Sequence, residues 1–399
     1  MMSAENRREA TSTRPSDSMC SRILLLGSQM EMGGAQRNLL IQAQWLSEHG
    51  HEVTAAFSYD KQGIEKQWKS AHPFPIINLK AWRADKSFLA NLPRLTVGLA
   101  RLLCLLLRGR FDAVETFTHH SNLLGIPLAW LAGVPVRIAS HRGVIRDFPQ
   151  WLNWMHTQII NWGFANRLVA VSEYTRQAAI NDGIMSEKIT VIPNAVALPK
   201  TEPQNREQTR RQLGLTKGSA LILTVGRLNP EKGHDLLLQA AAQALQQYPM
   251  ARFALAGDGV LRKKLELLAQ QLEIADAVLF LGHRDDIPDL LAAADIFALP
   301  SRSEGMPNAL LEAMATGLAA IAFEAGGIGE VLRDEETGLL VPPEDPAAFA
   351  QALVRLLDNP SERQRLGSAG RTWVEVHHGI DQMCARYGSL LCPELSANA

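Results

Sequence analysis

Cysteine is scarce in this chain. Its four copies, Cys20, Cys104, Cys384 and Cys392, are scattered over 399 residues with no Cys-x-x-Cys pair and no histidine at zinc-finger spacing, so neither a disulfide framework nor a structural zinc site can be read from them. An excess of one charge is also missing. Forty Lys and Arg face 41 Asp and Glu, a formal net charge of −1, which argues against nucleic acid as a partner. No long apolar run stands near the N-terminus: residues 1–20 are polar and expected to be disordered, and Ile23–Gly27 is too short for the apolar part of an export signal. A Gly-x-Gly-x-x-Gly after the first strand is lacking, which excludes the usual dinucleotide fingerprint. So is any Asp-x-Asp, the pair of carboxylates that would point to a bound metal, and neither a metal nor a cofactor is expected. A reducing, cytoplasmic setting fits these absences.

What the sequence does contain is an alternation of short β-type runs with helical stretches. Ser21–Gly27, Glu52–Phe57, Ala113–Phe117, Val136–Ser140 and Arg167–Ser172 read as buried strands separated by helices, the rhythm of a doubly wound parallel sheet. Residues 197–216 are polar, with prolines and many charges, and read as a linker. After Ala220 the same rhythm restarts. The expected organisation is α/β, with one Rossmann-like lobe over 21–196, a linker over 197–216, a second Rossmann-like lobe over 217–372 and a cleft between the two lobes.

Charge and loose backbone gather at strand ends. Asp295–Pro300 reads as a buried strand that runs into Ser301-Arg-Ser-Glu-Gly-Met-Pro-Asn-Ala-Leu-Leu-Glu312. Pro307 suits a first helical position, and the N–H groups of Gly305 to Ala309 would face a ligand's phosphate or sugar oxygens. Were the path fully helical, Glu304 and Glu312 would lie roughly 12 Å apart, too far for the carboxyl pair of a retaining glycosidase, so they are read as holding two parts of one ligand. Leu221–Asp235 places Arg227 and Lys232 between a strand and a helix, a fork and a point charge that together could neutralise a diphosphate. Gly33 and Gly34 allow close approach of backbone to a ligand, and His141 follows a strand end, where open α/β sheets bind ligands. His119 and His120 compete with His141, although two adjacent histidines do not easily serve one site; His120 ranks second.

The segment Glu304-Gly-Met-Pro-Asn-Ala-Leu-Leu-Glu312 resembles the signature of retaining family 4 glycosyltransferases. The resemblance implies the GT-B architecture, two Rossmann-like lobes facing each other, with the last stretch, 373–399, crossing back onto the first lobe. It implies that Glu304 meets donor-sugar hydroxyls, that Glu312 holds the nucleotide ribose, and that Gly305, Met306, Pro307 and Asn308 belong to the donor site. By the same likeness Arg227 and Lys232 hold the donor diphosphate, Gly33 and Gly34 sit between acceptor and donor phosphate, and His141 lines the donor-sugar pocket. His283 and Arg284 become candidates for the base pocket, and Gly326–Glu330 and Thr337–Pro342 match further landmarks. Gly329 departs from the pattern, in which proline is common. The implied reaction is metal-independent, retaining transfer from a nucleotide-diphosphate sugar to a glycan or lipid-linked acceptor in cell-surface polysaccharide synthesis, with the leaving phosphate taking the acceptor's proton and no enzymic nucleophile. A sugar-nucleotide epimerase of the same fold is opposed by this signature. A non-catalytic scaffold is opposed by the joint presence of Arg227, Lys232, Glu304 and Glu312.

Arg94–Phe111 is apolar, carries Arg94, Arg101, Arg108 and Arg110, and has no acidic residue. It is too short and too charged to span a bilayer, and two readings stay open: a core helix with extended arginines, or an interfacial helix drawn to anionic lipid. Trp151, Trp154 and Trp162 leave the same choice. The second reading places the chain peripherally at the inner face of the cytoplasmic membrane.

Overall fold

The computed structural model describes residues 21–143, 149–198 and 206–393; the expected disorder of 1–20 lies outside them. Seven strands form the first sheet: β1 (Arg22–Met30), β2 (Glu52–Asp60), β3 (Ile76–Asn78), β4 (Ala113–Thr116), β5 (Val136–His141), β6 (Arg167–Ala170) and β7 (Ile189–Val191). Their order is β3-β2-β1-β4-β5-β6-β7 and every pairing is parallel. Six more form the second: β8 (Leu221–Val225), β9 (Arg252–Ala256), β10 (Val278–Gly282), β11 (Ile296–Leu299), β12 (Ala320–Phe323) and β13 (Leu339–Val341), in the order β10-β9-β8-β11-β12-β13, again all parallel. Parallel strands need helical crossovers that cover both faces, which is why the centre of β1, Ile23 to Leu26, is an unbroken apolar run almost wholly out of solvent.

Each sheet reverses its winding once. In the first the reversal falls between β1 and β4, in the second between β8 and β11. Loops leaving the carboxyl ends of such a strand pair diverge and leave a crevice. The residues singled out by sequence occupy these loops: Gly33 after β1, Arg227 and Lys232 after β8, Glu304 after β11.

The chain crosses between lobes twice. The first crossing includes 199–205, outside the described residues, so the expected linker is seen only in part. Its second half is a helix, Arg206–Gln212, bonded to the second lobe: Arg206 and Arg210 both pair with Asp295, at 2.5 and 3.0 Å, and donate to carbonyls of 292–294. The helix Pro360–His377 belongs to the second lobe beyond residue 372, and the turn at His378–Gly379 starts the return. From there Ile380–Leu391 buries Met383, Cys384, Tyr387 and Leu391 in the core of the first sheet. The lobes also touch directly. Glu330 accepts the backbone N–H groups of Glu173 and Tyr174, both at 2.8 Å, at the start of the helix Glu173–Asn181, where a carboxylate meets unpaired donors and the favourable end of the helix dipole.

The apolar arginine run forms most of the helix Phe88–Gly109, which ends earlier than the run itself because Arg110 adopts a left-handed conformation and turns Phe111 into the core. Only Asn91, Gly98, Leu102 and Leu106 of this helix are buried. Phe88, Leu89, Leu92, Val97 and Leu107 are exposed, while Leu102 and Leu106 enter the core beneath the first sheet, so the helix packs by one stripe only. By length and composition it could cross a membrane, the one such helix among the described residues.

Candidate active site

A cleft of about 2400 Å³ runs between the lobes, bounded by both crevices. Gly33, Gly34, Arg227, Lys232, Arg284, Glu304, Met306, Pro307, Asn308 and Glu312 all line it; Gly305 and His141 do not.

Its centre is an ion pair. Lys232 Nζ donates to Glu304 Oε1 at 2.6 Å, and Ser301 Oγ donates to the same oxygen at 2.7 Å. Two loops from adjacent strands have to come together for this. Gly233 lets them: it sits at φ +63°, and a Cβ there would lie 1.9 Å from the Pro300 carbonyl oxygen, so a side chain would drive the loops apart. Arg302 ties them further, gripping Asp235 through two bonds of 2.8 and 2.7 Å. From the other side Gly327 N–H donates to the Glu304 carbonyl at 2.9 Å. Arg227 stands apart, 63% exposed and only loosely paired with Glu231 at 3.7 Å, so its fork is open to the cleft.

Pro307 is extended (φ −78°, ψ 113°) and caps the helix Asn308–Ala315 instead of opening it. The unpaired N–H donors therefore begin at Asn308, not Gly305, and the fully helical path between Glu304 and Glu312 is not adopted. Gly305 is pressed against the first lobe, where a Cβ would meet the Arg142 carbonyl oxygen at 2.7 Å. Gly34 is the first residue of the helix Gly34–Glu48, and what approaches it from the second lobe is Asn308, whose Nδ2 donates to its carbonyl at 3.3 Å. Glu312 is bonded across the cleft to Arg37, a residue sequence reasoning passed over although it closes the glycine-rich loop with a cation. Burial holds the Glu312 carboxyl above its usual range, a rise that Arg37 offsets only in part.

The histidines divide between two cavities. His141 is buried, and lines a separate cavity of about 220 Å³ with Thr118, His119, Ser140 and Arg142; burial holds its pKa below the usual histidine value. Of His119, His120 and His141, only His120 lines the main cleft, while His119 turns to the side cavity. Arg284 does reach the cleft, but Asp286 engages its Nε, at 2.7 Å, and one terminal nitrogen, which takes up much of its fork. Asn194, in the segment expected merely to end the first half, meets Met306 of the second lobe in two hydrogen bonds.

Behind this contact lies Glu115 on β4, wholly buried. Gln42 donates to it at 2.5 Å and Arg142 approaches to 3.8 Å, yet burial dominates and raises its pKa to about 8. Tyr387 and Cys384 of the returning helix face the same group. The folded state then holds a proton that the unfolded chain releases above the ordinary carboxyl range, so this group's contribution is full below about pH 4.5 and is lost as pH rises through about 8. Glu115→Gln should raise the melting temperature at pH 8.5 more than at pH 5; a parallel shift at both values would show that Glu115 is charged in the folded protein.

Two parallel α/β lobes, with cations and carboxylates converging from both switch points, define a nucleotide-handling enzyme of the GT-B fold. The family model for Glycosyl transferases group 1 matches residues 205–373, and that for the Glycosyl transferase 4-like domain matches 33–195. The chain is 33% identical over 276 residues to the UDP-Gal:alpha-D-GlcNAc-diphosphoundecaprenol alpha-1,3-galactosyltransferase of Escherichia coli, covering 65% of this chain and 70% of that one. It is 35% identical over 201 residues to a GDP-mannose-dependent monoacylated alpha-(1-6)-phosphatidylinositol monomannoside mannosyltransferase of Corynebacterium glutamicum, covering 48% of this chain and 52% of the relative, about half its length. Among solved structures, HepE of Anabaena in complex with UDP-glucose shares the fold with a TM-score of 0.83 at 23% identity, over 94% of this chain and all of that one, 100%. WaaG, a glycosyltransferase involved in lipopolysaccharide biosynthesis, does so with a TM-score of 0.74 at 18% identity, over 93% of this chain and 99% of that one. The chain belongs to the group 1 glycosyltransferase family and is a glycosyltransferase.

Proposed function

We propose that this enzyme moves a sugar from a nucleotide-diphosphate donor to a glycan or lipid-linked acceptor, with retention of anomeric configuration and without a metal ion. The observation that carries the reading is the Lys232–Glu304 pair at the second lobe's switch point, with Arg227 open beside it. Departure of a nucleotide diphosphate concentrates negative charge on its outer phosphate. Lys232, held by Glu304, and the helix start at Asn308 are a fixed cation and a fixed dipole at that place, and the open fork of Arg227 can close on the phosphates as charge develops. Glu304, with Oε1 engaged by Lys232 and Ser301, presents Oε2 to a donor-sugar hydroxyl, and Glu312 is the partner for a ribose. No side chain is assigned as nucleophile: the acceptor attacks the face the phosphate leaves, and the phosphate takes the acceptor's proton. The two relatives, a UDP-Gal-dependent galactosyltransferase acting on a diphosphoundecaprenol-linked sugar and a GDP-mannose-dependent mannosyltransferase acting on a phosphatidylinositol mannoside, support this class of substrates. The test is a panel of nucleotide sugars screened by thermal shift, since a ligand at a hundredfold over its Kd stabilises by about 2.7 kcal/mol. With the donor so found, the product's anomeric configuration and the rate in EDTA are measured; inversion, or loss of rate in EDTA, would refute the corresponding part.

The same reading places the enzyme peripherally at the inner face of the cytoplasmic membrane. Phe88, Leu89, Leu92 and Val97 on one helix, and Trp151, Trp154 and Trp162 on or beside the helix Gln150–Asn161, are exposed, and Phe88 and Trp151 also line the cleft. Arg94 and Arg108 flank the apolar side chains, and each basic residue near an anionic surface contributes about 1 kcal/mol. The chain should sediment with anionic vesicles at low salt and be released as salt rises. Arg94→Glu combined with Arg108→Glu should weaken that binding by roughly tenfold or more. A parent that stays in the supernatant at low salt would remove the membrane from the proposal.

A further inference from the structure

The donor loop Glu304–Asn308 belongs to the second lobe, yet much of what holds it comes from the first. Asn194 is the hub. It lies just past β7, where the chain leaves the first lobe, and is 5% exposed. Its Nδ2 donates to the Met306 carbonyl at 2.9 Å, its backbone N–H meets Met306 Sδ at 3.1 Å, and its own carbonyl lies 2.9 Å from His378 Nδ1, at the turn where the chain crosses back.

The orientation of that amide follows from its neighbours. Asn194 Oδ1 lies 3.2 Å from Arg142 Nη1 and 2.9 Å from Asn38 Nδ2. A guanidinium donates and never accepts, so the atom facing Arg142 must be the amide oxygen, and the atom facing the Met306 carbonyl must be the NH₂. Arg142 is itself fixed: its guanidinium lies over the Phe117 ring at 4.6 Å and donates to the Tyr387 hydroxyl at 3.2 Å. Asn38 also takes a bond of 3.4 Å from Asn308, so both ends of the Met306–Asn308 segment are read by one first-lobe network.

We propose that Asn194 is a positioning residue for sugar transfer: its amide, aimed by Arg142 and Asn38, locks the Glu304–Asn308 loop of the opposite lobe in its working geometry. This rests on the reading of the cleft given above. Nucleotide binding and transfer then depend on it differently. Lys232, Arg227 and Glu312 belong to the second lobe and do not need Asn194 to hold a nucleotide, whereas the placement of Glu304 against the sugar does.

Asn194→Asp is the sharpest probe. It is isosteric and keeps an oxygen for Arg142 and Asn38, but sets an oxygen against the Met306 carbonyl oxygen in place of a donor. Calorimetry with UDP and with GDP, and transfer rates with UDP-glucose, UDP-galactose and GDP-mannose over membrane extract, are measured on the full chain. The expected result is a nucleotide Kd and donor KM within about threefold of the parent and a kcat about 100-fold lower, the scale of a misplacement near 1 Å. Should that variant fail to fold, Asn38→Ala, which leaves Asn194 but removes one of the groups that aim it, should lower kcat about fivefold with the nucleotide Kd unchanged. Parental kcat in the variant, or a rise in nucleotide Kd that accounts for the whole loss, overturns the proposal while leaving the donor site standing. A parent chain that binds neither UDP nor GDP overturns the reading of the cleft and this inference with it.

Discussion

Lys232→Ala is expected to weaken UDP or GDP binding by about 3 kcal/mol, on the order of 150-fold, and Arg227→Ala by about 1.5 kcal/mol, roughly tenfold. The difference comes from what each removal leaves behind. Arg227 is largely solvated, and losing it subtracts one charge-assisted contact to the diphosphate. Lys232 also neutralises Glu304, a carboxylate whose side chain is only 11% exposed. Without Lys232 that carboxylate keeps Ser301 alone and adds its own repulsion to an incoming diphosphate. Isothermal calorimetry on the two variants checks both numbers. Parental affinity in both would end the assignment of this loop to the donor diphosphate.

Glu304 and Glu312 should separate when the ligand is varied. Glu312→Ala should raise the Kd for free nucleotide diphosphate and for the nucleotide sugar alike, by about 1–3 kcal/mol, because the ribose is common to both. Glu304→Ala should leave free nucleotide binding intact or tighten it, since Lys232 is released from its partner, while transfer falls about 100-fold for want of the sugar contact. Equal loss of UDP affinity in the two variants would defeat this division. Arg37 adds a complication with a definite sign: in Glu312→Ala it becomes an unpaired cation at the cleft, which softens the loss for a dianionic ligand.

Much of the donor side was legible in the sequence because it is local. Lys232 lies five residues past Arg227 and both follow an apolar strand; Glu304 and Glu312 bracket a proline and a small-residue helix. Such spacing is read without knowing what lies opposite. The short strands β3, β7 and β12 are not legible, since three or four residues carry no period to distinguish them. The direction in which His141 points is not legible for a related reason. A residue at the end of a strand can turn toward the cleft or behind it, and the side cavity under Thr118 and Arg142 is a property of packing. Arg37 and Asn194 gave only weak signals, because what makes them important is 275 and 112 residues away in the chain.

By itself the sequence determined the alternation of strands and helices, the two-lobe plan and the charged loops at the strand ends, since all three follow from apolar periodicity, glycine and proline placement and local charge. Tertiary structure alone decided which of those loops meet. The reversal of strand order in each sheet opens the crevices, the glycine at 233 lets two loops close to contact, and the crossing and return of the chain bring Asn194, His378 and Met306 together at the waist. It also decided that Val97, Ala100 and Leu107 of the stretch Arg94 to Gly109 face outward, because the first sheet needs only the stripe through Gly98, Leu102 and Leu106 to cover that face. Local chemistry sets which groups are available; which of them share a bond depends on contacts between residues the chain keeps far apart.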